Sequence, residues 1–260
     1  MKRLSFRRSI RTALSVVLAC MLSLGLIPAV NAEDMVAEEK PVLNGGVYEI
    51  ATAEQLLYLS QNYGAEDCPK EATYKLTADI DMSLVTNYKP IGRFYGVFDG
   101  DYHVVSNLTI DRGDSGTVGF FNHLGDSDVQ AVVRNLGLVD IYVRGTNTVG
   151  GICGMLWGTV ENCFVTGEVV GNNHGIGGIA GRTPAFSSGS VNKQPTEEEA
   201  AKATIRNCYT VVTVREEGSA DSQGGLVGRS LNPYTTIENS YAAGVVEGYN
   251  RVGGLVGDLR

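Results

Sequence analysis

Apolar and polar positions alternate along much of this chain with a period of two. After Asn162, one parity reads Cys163, Val165, Gly167 and Val169, and the other reads Phe164, Thr166 and Glu168. After Asn207, Cys208, Thr210, Val212 and Val214 stand against Tyr209, Val211, Thr213 and Arg215. After Asn239, Ser240, Ala242, Gly244 and Val246 stand against Tyr241, Ala243, Val245 and Glu247. A two-residue period places successive side chains on opposite faces of a strand, so each stretch predicts a strand with one buried face. The small and aliphatic set is predicted to face inward, and the set with the charges and aromatics outward. One such strand cannot bury its own face. Stacking one copy on the next, about 4.8 Å apart, builds a continuous core and pairs the backbone of each copy with its neighbours.

The alternating stretches belong to a larger repeat. Val149-Gly-Gly-Ile-Cys-Gly154 returns as Ile176-Gly-Gly-Ile-Ala-Gly181, Gly224-Gly-Leu-Val-Gly228 and Val252-Gly-Gly-Leu-Val-Gly257. An upstream asparagine keeps step at Asn107, Asn135, Asn162, Asn207 and Asn239, with spacings of 28, 27, 45 and 32. The unit is therefore near 28 residues, and two units carry insertions. Asparagine tolerates the left-handed backbone conformation, and copies stacked in register can form an amide ladder. Glycine pairs allow sharp turns and close approach between coils. Structural roles are accordingly assigned to the five asparagines and to Gly151, Gly178, Gly225 and Gly254. The first copy, Ser106 to Phe121, diverges, with Phe120 and Phe121 in place of Gly and Ile.

The remaining chain divides around this array. Residues 1–32 have the form of a signal peptide: Lys2, Arg3, Arg7, Arg8 and Arg11, an apolar run to Ala29, and small residues at Val30-Asn31-Ala32 before a cleavage point. Residues 33–46 are acidic and polar and are expected to be a flexible leader. Residues 47–105 are expected to hold an N-terminal cap and the first coils. Thr52-Ala-Glu-Gln55 fits a capping box ahead of a short amphipathic helix over 53–62, and Tyr74 to Met82 alternates like a strand. The repeats occupy 106–257, with an insertion at about 182–203. Residues 258–260 are read either as the truncated end of a longer chain, with further domains beyond Arg260, or as the end of a last coil covered by a partner. The fold class is all-β, a β-solenoid with a helical cap at its N-terminal end.

Charge narrows the partners. The 260 residues carry a formal net charge of −8 from 21 basic and 29 acidic side chains. Removing the five basic residues of segment 1–32, which holds no acid, leaves −13. That balance argues against nucleic acid or anionic lipid as a partner. The mature chain is not expected to insert in a membrane. Four cysteines remain outside segment 1–32: Cys68, Cys153, Cys163 and Cys208. None has zinc spacing and the histidines are scattered, so no metal or cofactor is called for. Cys163 and Cys208 share one inward position in adjacent repeats. In-register parallel strands point both side chains the same way, so two free buried thiols are expected.

At Gly225-Leu-Val-Gly228 and Gly254-Leu-Val-Gly257, with close variants at Gly151-Ile-Cys-Gly154 and Gly178-Ile-Ala-Gly181, the chain resembles the GLUG-repeat family. The resemblance covers Ser106 to Gly257. It implies a right-handed parallel β-helix in a secreted bacterial surface protein of the adhesin or immunoglobulin-protease type, extracellular or held at the cell surface. It brings no catalytic residues.

Two candidate sites remain. Phe164, Tyr209 and Tyr241 form an outward aromatic column, which fits either a platform for a glycan or host surface protein or a stack that stabilises neighbouring strands. Parallel β-helices also serve as polysaccharide lyases and glycosidases. For that alternative the carboxylates are Asp79, Asp81 and Asp99, with Lys89, Arg93 and His103 nearby. Glycoside hydrolysis asks for two carboxyl groups facing one another across a cleft. The preferred reading is a non-catalytic module: a cell-surface adhesin, ligand-binding or spacer segment.

Overall fold

The computed structural model describes residues 30–31, 35–184, 202–219 and 221–260. Residues 1–29 and 32, in the segment read from the sequence as a signal peptide, and most of the insertion, 185–201, lie outside the described residues. The structure is all-β. Among the described residues one helix, α1 (Ala53–Asn62), interrupts a succession of short strands. Nearly every pairing is parallel, the exception being Val42–Asn44 against Val47–Ile50.

One circuit of the chain shows how the sequence builds the whole. Thr159–Glu161 is followed by a bend at Asn162, the long strand Phe164–Gly171, the short strand Gly175–Gly177 and then Ala180–Arg182. The next circuit places Thr204–Arg206, Tyr209–Glu216, Gln223–Gly224 and Val227–Ser230 beside the same four strands in the same order. Each circuit thus adds one strand to each of four sheets. The first sheet runs from Val42–Asn44 to Thr236–Glu238, and the second from Ile80–Asp81 to Tyr241–Glu247. The third spans Thr117–Val118 to Val252–Gly253, and the fourth Ile91–Phe94 to Val256–Leu259.

The alternation read from the sequence becomes burial. Val165, Val169, Thr210, Val212 and Val214 are buried, while Phe164, Thr166, Glu168, Tyr209 and Val211 face outward. The core changes character along its length. The early coils are filled by Tyr74, Tyr88, Phe94, Phe98, Phe120 and Phe121, whose rings mostly meet edge-on or tilted, as in Phe94–Phe121 at 4.8 Å and Phe120–Phe121 at 4.9 Å, with Tyr88 and Phe120 stacked at 5.9 Å. Edge-to-face contact suits the ring quadrupoles. Later coils are filled by Val, Ile, Ala and Cys.

Helix α1 forms over the span its capping box predicts. Thr52 Oγ1 accepts the Gln55 N–H at 3.1 Å, and Gln55 Oε1 reaches back to the Ala51 N–H at 2.7 Å. Leu56, Leu57 and Leu59 are buried beneath it.

The bend asparagines behave as their chemistry predicts. Asn135, Asn162, Asn207 and Asn239 have φ between 48° and 54°. The Asn162 amide donates to Asn135 Oδ1 at 3.0 Å, Asn207 to Asn162 at 3.1 Å and Asn239 to Asn207 at 3.3 Å. The ladder begins on Asp99, which accepts from Asn135 Nδ2 at 3.0 Å. The glycines serve close approach. A Cβ on Gly151 would collide with the carbonyl oxygen of Gly178, one on Gly178 with that of Gly225, and one on Gly225 with that of Gly254.

Four expectations need correction. Asn107 is not the bend equivalent of Asn135. Its strand pairs Ser106 with Val139, which sets Asn107 beside Asp140, and both have positive φ, 57° and 52°. It lies at a second bend partway along the second sheet, and its amide bonds Asp81 at 2.8 Å. Phe121 pairs with Cys153, and Val118 with Val149. The divergent turn is therefore one residue shorter, and Phe120 fills the core where later coils place Ile152 and Ile179. Tyr74 to Met82 is two strands, Thr73–Leu76 and Ile80–Asp81, on different sheets. The expected flexible leader is fixed from Met35 onward. Val42–Asn44 is a strand, Ala37 is buried, and Glu39 accepts from Thr52 Oγ1 at 2.9 Å and Gln55 Nε2 at 3.0 Å.

Candidate functional site

The aromatic column is a stack of ring faces. Phe164 pairs with Tyr209, and Tyr209 with Tyr241, in the second-sheet register. Centroids are 5.0 and 5.3 Å apart, and the planes lie within 4° and 6° of parallel. Beneath Phe164 the next coil carries Gly137, where a Cβ would sit about 2.5 Å from the Phe164 ring. The missing side chain makes room for the aromatic one. The rings cover one another's faces, leaving edges along the column and the outer face of Tyr241, which is 56% exposed.

The three carboxylates do not converge. Asp79 Oδ1 accepts the Val104 N–H at 3.0 Å and lies 3.1 Å from His103 Nδ1. Asp81 bonds Ser83 through its N–H at 2.9 Å and its hydroxyl at 3.0 Å, besides Asn107. Asp99 belongs to the first sheet, around the bend from the other two. It takes the Arg134 Nε at 2.8 Å, the Asn135 amide and the Asp101 N–H at 2.9 Å. The backbone N–H of Val104, then His103, holds the Asp79 carboxyl below its ordinary range, and Asn107 with Ser83 does the same for Asp81. At Asp99 burial alone would raise the pKa. The Asp101 N–H, Asn135 and Arg134 together outweigh it and bring the net shift down. A glycosidase acid needs the opposite, a carboxyl kept protonated near neutral pH. Of the basic residues read beside them, only His103 touches one of these acids. Lys89 and Arg93 lie on the fourth-sheet side.

The residue before each bend asparagine makes a feature the sequence reading missed. Asp99, Arg134, Glu161, Arg206 and Glu238 stand in register on the first sheet, alternating in sign. Arg206 Nε contacts Glu161 Oε2 at 2.6 Å. A parallel column of opposite charges favours this register over a shifted one. Outside the second sheet, Arg215 forks onto Glu168 Oε1 at 2.7 and 2.9 Å.

All four cysteines among the described residues are free and buried. Burial pushes the thiols of Cys153 and Cys163 far above the ordinary range and that of Cys68 to about 11. Buried thiols so shifted make poor nucleophiles. Among the described residues no group of three or more His, Cys, Asp or Glu side chains is placed to hold a metal ion, and no helix is long and apolar enough to cross a membrane.

No protein-family model matches the chain. A stretch of 172 residues, 60% of the chain, is 36% identical to Halomucin from Haloquadratum walsbyi (strain DSM 16790 / HBSQ001). The chain spans 2% of that protein's length. Among solved structures it is similar to a putative immunoglobulin A1 protease from Bacteroides ovatus, with a TM-score of 0.62 and 25% identity over 88% of this chain and 67% of the other.

Proposed function

We propose that the chain is an extracellular module built as a right-handed parallel β-helix, with α1 capping its N-terminal end and segment 1–32 removed as a signal peptide. In this reading it acts as an adhesin, ligand-binding or spacer segment of a bacterial surface protein and catalyses no reaction. The supporting observation is how the chain spends its polar side chains. The repeated asparagines bond one another across coils, the repeated charges pair in columns, and Asp79, Asp81 and Asp99 are each held ionised on separate tasks. Among the described residues, none of these three carboxylates faces a second one across a gap. The likeness to Halomucin and to the Bacteroides ovatus protein supports a repeat-bearing surface module. The second of these also favours an alternative, that the chain is the recognition part of a larger secreted protease.

The test has three arms. N-terminal sequencing of the exported protein should find Glu33 first, and an exported chain that keeps Met1 contradicts the compartment. Immobilised chain should retain glycans or host surface proteins from an array, with retention lost when Phe164, Tyr209 and Tyr241 are all replaced by serine in a folded variant. Incubation with polygalacturonate should release no reducing or unsaturated ends. Turnover that disappears in Asp79→Asn with Asp81→Asn would instead establish the lyase or glycosidase reading.

A further inference from the structure

A cleft lies away from the aromatic column, where the end of α1 meets the first coils. It encloses about 900 Å³. Among the described residues four cations line it, Lys70, Lys89, Arg93 and Arg112, and no carboxylate does. In a chain with 29 acidic and 21 basic residues, that local balance is the reverse of the whole.

The cleft is held in shape from several sides. Tyr63 Oη accepts the Tyr95 N–H at 2.9 Å and donates to the Lys70 carbonyl at 2.7 Å, tying three segments of the wall together. The Tyr63 ring rests on Phe94 at 5.4 Å. Arg112 is anchored by a bond from Nη2 to the Asn87 carbonyl at 3.2 Å. Of the nearby acids, Asp111 pairs with Arg144 at 3.2 Å, while Asp126 accepts from the Tyr95 hydroxyl and lies 3.8 Å from Arg93, offsetting part of that one charge. Lys70 and Lys89 are exposed at the rim and make no ion pair with a described residue. Asn122, also on the wall, has a buried Oδ1 with no hydrogen-bond partner.

We propose that this cleft binds an acidic oligosaccharide, a sugar chain carrying carboxylate or sulfate groups. Four cations around one concavity raise the local concentration of anions, and the low-dielectric walls focus the field. Arginine and lysine divide the work: a guanidinium grips a carboxylate or sulfate in two directions, and an ammonium follows a moving charge as a point donor. The volume is at the upper end of small-ligand sites, which suits several sugar rings rather than a lone ion. Tyr95 offers an aromatic surface beside the charges, the usual seat for the apolar face of a sugar ring. Nucleic acid fits less well, because a chain with a net charge of −8 repels a long polyanion.

Isothermal titration of the full chain tests this with four probes: a sulfated chondroitin tetrasaccharide, its unsulfated form, a neutral tetramer of N-acetylglucosamine, and inorganic sulfate. Both acidic tetrasaccharides are expected to bind. The neutral tetramer should not, and sulfate alone should bind at least about tenfold more weakly than the sulfated sugar, a difference of about 1.4 kcal/mol. Raising salt from about 50 to about 500 mM should weaken binding several-fold. Lys89→Gln with Arg93→Gln removes two exposed charges, so the fold should survive, as circular dichroism will show. This pair should weaken binding about tenfold or more. The triple serine variant of the aromatic column should bind these probes as the wild type does, which separates this site from the reading above. Equal binding of neutral and acidic sugars, no heat from either acidic sugar, or unchanged affinity in the double variant would overturn the proposal.

Discussion

The backbone N–H of Cys163 points at the sulfur of Cys208, 3.5 Å away in the next coil. Cys208 in turn directs its thiol to the Arg206 carbonyl at 3.1 Å, and Cys163 does the same to the Glu161 carbonyl at 3.1 Å. Ser240 repeats the arrangement with oxygen, accepting from the Cys208 N–H at 3.0 Å and donating to the Glu238 carbonyl at 2.7 Å. At the Asn162, Asn207 and Asn239 bends a small S–H or O–H group closes the turn, so both cysteines are occupied as hydrogen-bonding groups. Alkylation of the unreduced protein should leave both unmodified while folded and modify both after denaturation. A Cys163–Cys208 cross-linked peptide in the mass spectrum would contradict this. Cys208→Ser should keep the fold, since Ser240 already plays that part.

Asn207 donates to Asn162, accepts from Asn239 and holds a φ of 52°. Asn207→Ala loses two ladder bonds, worth about 0.5–1.5 kcal/mol each, and places in the left-handed region a residue without asparagine's tolerance of it, where the cost for an L-residue is about 1–2 kcal/mol. Asn207→Gly avoids the second cost. Urea unfolding should rank wild type above glycine above alanine.

Two glycines of the same motif should respond differently. At Gly178 a Cβ would meet the Gly225 carbonyl and the methyls of Thr210 and Val212, at 2.9 and 3.0 Å. At Gly254 nothing lies within 4 Å. Gly178→Ala should cost about 1–3 kcal/mol through overpacking, and Gly254→Ala should leave the unfolding midpoint nearly unchanged.

The stacked rings predict a graded loss. Replacing Tyr209 with serine breaks two stacking contacts, and replacing Tyr241 breaks one. Each contact is worth about 0.5–1.5 kcal/mol beyond area burial. Thermal unfolding should fall further for Tyr209→Ser than for Tyr241→Ser, whether or not the column binds a ligand.

Asp99 sets a pH dependence. Its folded pKa lies below the ordinary 3.8, so its contribution is complete above the unfolded value and is lost as pH falls through the folded one. Stability should decline below about pH 4. In Asp99→Asn the drop in unfolding free energy between neutral and acid conditions should be smaller than in the wild type.

Much of this architecture is legible in the residue string because repetition multiplies a weak local signal. One Asn-Cys-Phe says little, but Asn162, Asn207 and Asn239 in phase with the glycine motifs fix a bend, and the alternation after each fixes which face is buried. Asn107 misled for the same reason. Ser106-Asn107-Leu108 copies the local string, whereas the real partner of its position is Asp140, reached only once strand pairing sets the register. The alternating charges at 134, 161, 206 and 238 were on view, each immediately before an asparagine, and gained meaning only with the stacking order. The basic cleft had no such signal. Tyr63, Lys70, Lys89 and Arg112 come from separate, unrepeated segments, and the coil alone brings them together.

The alternating column on the first sheet bears on how such a chain can gain or lose units. Excising the single coil that carries Glu161 would set Arg134 directly against Arg206, like charges at strand-pairing distance in a ladder whose other rungs attract. Excising that coil together with the one carrying Arg206 would set Arg134 against Glu238 and leave the alternation intact. Duplication obeys the same arithmetic. Length variation in this array is therefore least costly in steps of two: the coil is the unit of the folding pattern, and the coil pair is the unit that keeps the charges matched.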